Sequence, residues 1–132
     1  MQIKDKVIVV TGGANGIGEA LCRRFVAEGA RSVVAADIDE TRLDTISKDL
    51  GVQGVRTDVT VEADIVKLVK QTEETCGPID LFCSNAGIIS TDAPDWTAAS
   101  CPNEIWQKSW DIHIMAHVYA ARAVLPGMIA RK

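Results

Sequence analysis

The sequence predicts an α/β fold, a doubly wound parallel sheet with helices on both faces. Three observations predict it. Short apolar runs alternate with amphipathic ones in a β-α-β-α-β-α-β succession, which implies parallel strands joined by helical crossovers. The first apolar run, Val7-Ile8-Val9-Val10, leads into Thr11-Gly12-Gly13-Ala14-Asn15-Gly16-Ile17-Gly18, and then Ile17, Leu21 and Phe25 recur four apart as on a helix. Finally, Gly12, Asp37, Asp58 and Asn85 each fall at the carboxyl end of an expected strand. Ligands of such sheets lie beyond those ends, where the strand order reverses.

Strand one is expected over about 6–10. Helix one follows over about 16–28 and stops at Gly29, whose missing Cβ suits a C-terminal cap. Strand two covers 32–36 and ends in Asp37. A second helix over about 40–50 puts Leu43, Ile46 and Leu50 on one face, and Gly51 stops it. Strand three is short, about 54–57, ending in Asp58. Thr60 is a good N-cap, and Glu62 and Asp64 suit the positive end of helix three. In that helix Ile65, Leu68, Val69 and Thr72 form an i, i+3, i+4, i+7 stripe, and Gly77-Pro78 ends it. Strand four covers 79–84, followed by Asn85-Ala86-Gly87. The expected strand order is 3-2-1-4, a partial Rossmann-like sheet with its switch point between strands one and four. Residues 90–102 read as an irregular loop over the site. A helical pattern resumes near Asn103 through Trp106, Trp110, Ile114, Val118, Ala121 and Leu125, with a break expected near Trp110-Asp111 and Pro126 near the end.

With 132 residues the chain suits one domain, 1–132, with a sizeable core. Its 47% hydrophobic and 24% charged residues are those of a soluble globular protein. The net charge of −4 argues against a nucleic-acid surface. The early apolar run is too short to span a membrane, and the N-terminus lacks the apolar stretch of a signal peptide, so a cytoplasmic protein with no membrane partner is expected. Cys22, Cys76, Cys83 and Cys101 show no metal-ligand spacing and read as reduced thiols.

The glycines have separate physical roles. Gly12 lets the chain turn out of strand one, Gly16 lets backbone N–H groups approach a pyrophosphate, and Gly18 lets the new helix pack close to the sheet. The helix N-terminus supplies unpaired N–H groups and a positive dipole end. A glycine-rich turn without a ligand is the plainer alternative. The spacing T-G-x-x-x-G-x-G resembles the cofactor signature of the short-chain dehydrogenase/reductase family, and Asn85-Ala86-Gly87 resembles that family's N-A-G motif. The resemblance runs from about Val7 to Arg131.

That resemblance implies a dinucleotide site at Gly12, Asn15, Gly16, Ile17, Gly18, Asp37, Ile38, Asp58, Val59, Asn85, Ala86 and Gly87. Asp37 stands 19 residues after Gly18, where a carboxylate can accept from ribose hydroxyls. It would repel a 2′-phosphate by about 4 kcal/mol at 4 Å and an effective dielectric near 20. Asn15 and Ile38, the positions that often carry a phosphate-binding cation in the family, are uncharged, so NAD is expected over NADP. Asp58-Val59 resembles the adenine-contacting pair, although Asp58 can equally be a helix-opening acid before Thr60. Asn85 would tie strand ends and reach a ribose, and Gly87 would leave room for the cofactor; a plain Asn–Gly turn is the alternative. His113 and His117 are four apart and could share a helix face, but an H-x-x-x-H zinc site lacks a third ligand. Trp110-Asp111-Ile112-His113-Ile114 aligns with a segment in which the family usually has Asn at the His113 position, supporting a water in a proton relay. His113 can hold a water, or it can simply pack.

The family transfers hydride between nicotinamide and a carbonyl or alcohol carbon, with a Ser, and a Tyr whose pKa is lowered by a Lys four residues on. Here Tyr119 is the one tyrosine and Ala123 stands four residues later. The favoured reading is therefore the cofactor-binding part of an NAD-dependent oxidoreductase acting on a small carbonyl or alcohol compound, homo-oligomeric at full length. The 132 residues alone are expected to be inactive, and marginally stable or oligomeric because they expose apolar sheet edge and helix faces. The alternatives are a non-catalytic dinucleotide-binding or interaction module and, against the motif spacing, a nucleoside-cofactor methyltransferase.

Overall fold

The computed structural model describes residues 2–89 and 98–132. Four parallel strands form one sheet: β1 Val7–Thr11, β2 Ser32–Asp37, β3 Gln53–Arg56 and β4 Leu81–Cys83, in the order β3-β2-β1-β4. β1 is central. Val7 pairs with Ser32 and Thr11 with Ala36 on one side, while Ile8 to Val10 pair with Leu81 to Cys83 on the other. The order reverses between β1 and β4, as the sequence predicts.

Alternation along the strands divides the core. Ile8, Val10, Val33 and Ala35 face α1 (Gly16–Ala27) and α2 (Glu40–Leu50), packing on Cys22, Phe25, Leu43 and Ile46. Val7, Val9, Val34 and Ala36 face the other way, onto Leu68 and Val69 of α3 (Glu62–Cys76) and Val124 of α5 (Ala116–Arg131). All five residues of β1 are buried, as expected for a central parallel strand covered on both faces.

Several boundaries differ from the sequence reading for identifiable reasons. Gly29 follows the α1 cap Glu28 with φ +77°, and the Gly29 and Ala30 N–H groups donate to Val26 and Phe25 carbonyls, a Schellman closure. Thr60 does not cap α3. Its N–H and hydroxyl both donate to Asp58 Oδ1, at 3.0 and 2.7 Å, so Val61 takes the cap position without a side-chain bond. β4 is three residues long instead of six, although Asp80 N–H still donates to the Val7 carbonyl. The base of the switch is stapled there, because Asp80 accepts from Val7 N–H at 2.9 Å and pairs with Lys6 at 3.3 Å.

The interruption expected near Trp110-Asp111 falls there, but as a π turn rather than a break in the chain's helical course. α4 (Asn103–Trp110) runs into one wide π turn, Asp111–Met115, and on into α5, so the chain gains an extra residue in the turn without leaving the helix. This 29-residue run is long and apolar enough to cross a membrane by length and composition, with mean hydropathy 1.2 over its most apolar window. In this fold it packs instead on α3, and Ile112, Ala116, Ala120 and Val124 are buried. Trp106, Trp110, Leu125 and Ile129 remain exposed. Most of the loop expected over 90–102 lies outside the described residues; its described part includes a short 3₁₀ turn, Ala98–Ser100.

Candidate functional site

The switch point is braced by Thr11, which is buried at the end of β1. Its hydroxyl accepts from Asn85 N–H at 3.0 Å and Ala86 N–H at 3.2 Å, and donates to the Cys83 carbonyl at 3.4 Å. The Asn85 side-chain amide donates to the Thr11 carbonyl at 3.0 Å. The N-A-G turn is thereby fixed beside the glycine turn. The sequence reading quoted Thr11 without giving it this role.

The glycine turn leaves β1 at Gly12 with φ +65°, a conformation that L side chains rarely adopt. Gly13 N–H continues the β2 pairing by donating to Ala36 O at 3.1 Å. Ala14 N–H donates to Asp37 Oδ2 at 3.1 Å, so the acid at the end of β2 also anchors the turn. At Gly18 a Cβ would lie 1.9 Å from the Gly12 carbonyl oxygen and 2.8 Å from Asn85 Nδ2. The helix can approach the turn only because this residue has no side chain. At Gly16, with φ +54°, a Cβ would meet nothing within 4 Å. Asn15 makes no side-chain bond to the first turn of α1, so that helix start is not capped by its own side chain.

These groups open onto a cavity of about 750 Å³ along the carboxyl edge. Gly12, Asn15, Gly16, Ile17, Gly18, Asp37, Ile38, Asp58, Val59, Asn85, Ala86 and Gly87 all line it. Ile17 and Ile38 are 75% and 58% exposed, apolar groups at the cavity mouth. Asp39, Arg42, Thr57, Thr60, Ile88, Ile89 and Ile112 line it as well. Of these, Asp39 and Arg42 carry charge. A sequence motif does not reveal them, because α2 is what turns them toward the edge. Asp58 combines both readings offered by the sequence: it lines the cavity, and its Oδ1 holds Thr60 in the turn before α3.

His113 does not line the cavity but supports its wall. Its Nε2 donates to the Ile88 carbonyl at 3.0 Å, which leaves Nδ1 as acceptor in the neutral ring. A Cβ on Gly87 would stand 3.0 Å from His113 Cε1. His117, one turn later, bonds Ser84 Oγ through Nδ1 at 2.6 Å. The two imidazoles are thus engaged separately along the segment leaving β4. All four cysteines are free thiols. Burial, with smaller contributions from Cys83 and Glu19, pushes the Cys22 thiol up to about 12, and burial raises Cys83 as well.

Comparison with known proteins agrees with this geometry. Residues 6–132 match the short chain dehydrogenase family. The chain is 34% identical to a short chain dehydrogenase of Pseudocercospora fijiensis, over 99% of this chain and 43% of the relative. It is 36% identical to galactitol 2-dehydrogenase of Agrobacterium fabrum, over 99% of this chain and 50% of that one. Among solved structures, a short-chain dehydrogenase of Novosphingobium aromaticivorans superposes with a TM-score of 0.87 at 25% identity, covering 98% of this chain and 48% of the other. A short-chain dehydrogenase/reductase of Brucella melitensis, described as a glucose/ribitol dehydrogenase, gives 0.87 at 27% identity, covering 96% and 54%. The chain belongs to the short-chain dehydrogenase/reductase family, whose members use NAD or NADP, and it spans about half the length of these relatives.

Proposed function

We propose that the carboxyl-edge cavity binds NAD, and that the protein acts as an NAD-dependent oxidoreductase on a small carbonyl or alcohol substrate. The observation that carries this reading is the convergence of the glycine turn, Asp37, Asp58 and the N-A-G turn on one cavity at the switch between β1 and β4. The residues fit the cofactor. Gly16 leaves open space beside a helix start that Asn15 does not cap with its side chain, which suits a pyrophosphate. Asp37 has lone pairs left on oxygens already fixed by Ala14 and Asp39 N–H groups, so it can accept from ribose hydroxyls without reorganising. Asp58 and the Val59 backbone would meet the adenine, and Asn85 and Gly87 the second ribose.

When bound, nicotinamide supplies the hydride acceptor or donor. This chain's residues bind and orient it. In the same reading His113, fixed by Ile88, holds a water for a proton relay through Nδ1. The preference for NAD rests on Asp37 together with the uncharged Asn15 and Ile38. The same reading makes the full-length form a homo-oligomer, with the exposed apolar side chains of α4 and α5 in need of cover from water.

The test is calorimetric titration of the purified protein with NAD and NADP, followed by the ultraviolet absorbance of reduced nicotinamide with a panel of alcohols and carbonyls. Saturable NAD binding that Asp37→Ala weakens, with weaker NADP binding, is expected. Failure to bind either dinucleotide overturns the reading.

A further inference from the structure

The cavity carries a cation that this reading does not use. Arg42 is the one basic residue among the described residues that line it, and it is linked through Asp39 to Asp37. Its charge is already engaged: Arg42 Nε lies 3.3 Å from Asp39 Oδ2. The other oxygen, Asp39 Oδ1, accepts from the Arg42 backbone N–H at 3.1 Å and caps α2. Asp39 therefore performs two tasks with two oxygens. It is itself held in place, because its N–H donates to Asp37 Oδ1 at 3.2 Å. A chain of bonds runs from the glycine turn through Asp37 and Asp39 to Arg42.

A phosphate on the 2′-oxygen of a ribose at Asp37 would enter this arrangement facing two carboxylates. The nearby guanidinium, which suits phosphate in geometry and charge, is tied to one of them. Arg42 and Asp39 are about half exposed, so their pairing is weak and either could be rearranged at small cost. Arg56, at the end of β3, pairs with Glu40 at 3.3 Å and does not line the cavity. We infer that Asp39 is a specificity-determining residue: by holding Arg42 it withholds from a 2′-phosphate the cation that lines the cavity, so discrimination against NADP is shared between Asp37 and the Asp39–Arg42 pair. The inference rests on the dinucleotide reading above.

Asp39→Asn tests it cleanly. Asn caps a helix as well as Asp does, so α2 keeps its cap while the charge is lost, and Asp39→Ser provides a second variant of similar capping strength. The measurement is equilibrium binding of NAD and of NADP to the full chain, with thermal melting as a check on folding. The expected result is an NADP Kd lowered about three- to fivefold in Asp39→Asn, with the NAD Kd changed by less than about twofold. Most of the gain should be lost in Asp39→Asn with Arg42→Ala, leaving only the relief of Asp39's own repulsion. If NAD binds but the NADP Kd stays unchanged in both Asp39 variants, the inference is wrong. A gain undiminished by removal of Arg42 also overturns it, since Asp39 would then act by repulsion alone. Binding of neither dinucleotide by the unmodified protein removes the dinucleotide reading and this inference together.

Discussion

Replacing Gly16 by Ala should separate the glycine turn's role in binding from its role in folding. Gly16 has φ +54°, and an added Cβ would meet no protein atom within 4 Å. The stability cost is then backbone strain alone. An L residue in that region costs about 1–2 kcal/mol, offset in part by about 0.4–1 kcal/mol from a stiffer unfolded chain. A net loss of about 1 kcal/mol should lower Tm by roughly 3–5 °C. The methyl would nevertheless stand at a cavity wall that a pyrophosphate must approach closely, so the NAD Kd should rise at least about tenfold, near 1.4 kcal/mol. Gly18→Ala should behave differently. Its Cβ would lie 1.9 Å from the Gly12 carbonyl oxygen, a backbone atom, more than 1 Å inside the 3.0 Å limit of real contacts. Overpacking of that kind costs about 3 kcal/mol or more and should remove binding and stability together. Urea denaturation and calorimetry on both variants supply the readouts. Unchanged NAD affinity in Gly16→Ala, or a Gly18→Ala protein as stable as Gly16→Ala, would refute the reasoning.

Thr11→Val keeps the shape of the switch-point brace but strands the Asn85 and Ala86 N–H groups, and should cost about 2–3 kcal/mol in urea denaturation, with Thr11→Ser costing less. Partial burial pushes the Asp80 carboxyl up, but the Val7 N–H, Lys6 and Arg31 together hold it below the usual range. Its stabilisation is therefore present above the unfolded value of about 3.9 and is lost as pH falls through the lower folded value. Asp80→Ala should lose about 1–2 kcal/mol at pH 7, and the difference from wild type should disappear in acid; a constant difference across that window would contradict the assignment. Cys22, buried and pushed up to about 12, should react with thiol reagents at pH 8 only as fast as the protein unfolds, which mass mapping of labelled cysteines can follow.

Much of the fold was legible because it rests on local signals that tertiary structure reinforces. Val7 to Val10 are apolar without interruption because β1 is covered on both faces, and the glycines and acids stand at strand ends because the chain must turn there. The details that escaped depend on competition between neighbours. Thr60 looks like a cap in sequence, yet Asp58 captures both its N–H and its hydroxyl first. The wide turn at Asp111–Met115 leaves the helical pattern nearly unbroken, so the sequence shows only a disturbed period. Thr11 reads as the first residue of a motif, and its contacts 72 to 75 residues away become visible only when β4 is placed beside β1. Arg42 was missed for a similar reason. The sequence reading looked for a phosphate-binding cation at Asn15 and Ile38, whereas α2 brings one to the same edge from four residues further on.

The most direct test of the central claim is amide hydrogen exchange at single-residue resolution, with and without saturating NAD. If the cavity is a dinucleotide cradle, the N–H groups of Gly16, Ile17 and Gly18 at the start of α1 should be slowed markedly by NAD, together with those around Asp37 and Asn85. Exchange at those amides unchanged by NAD, or protection confined to α4 and α5, would contradict it.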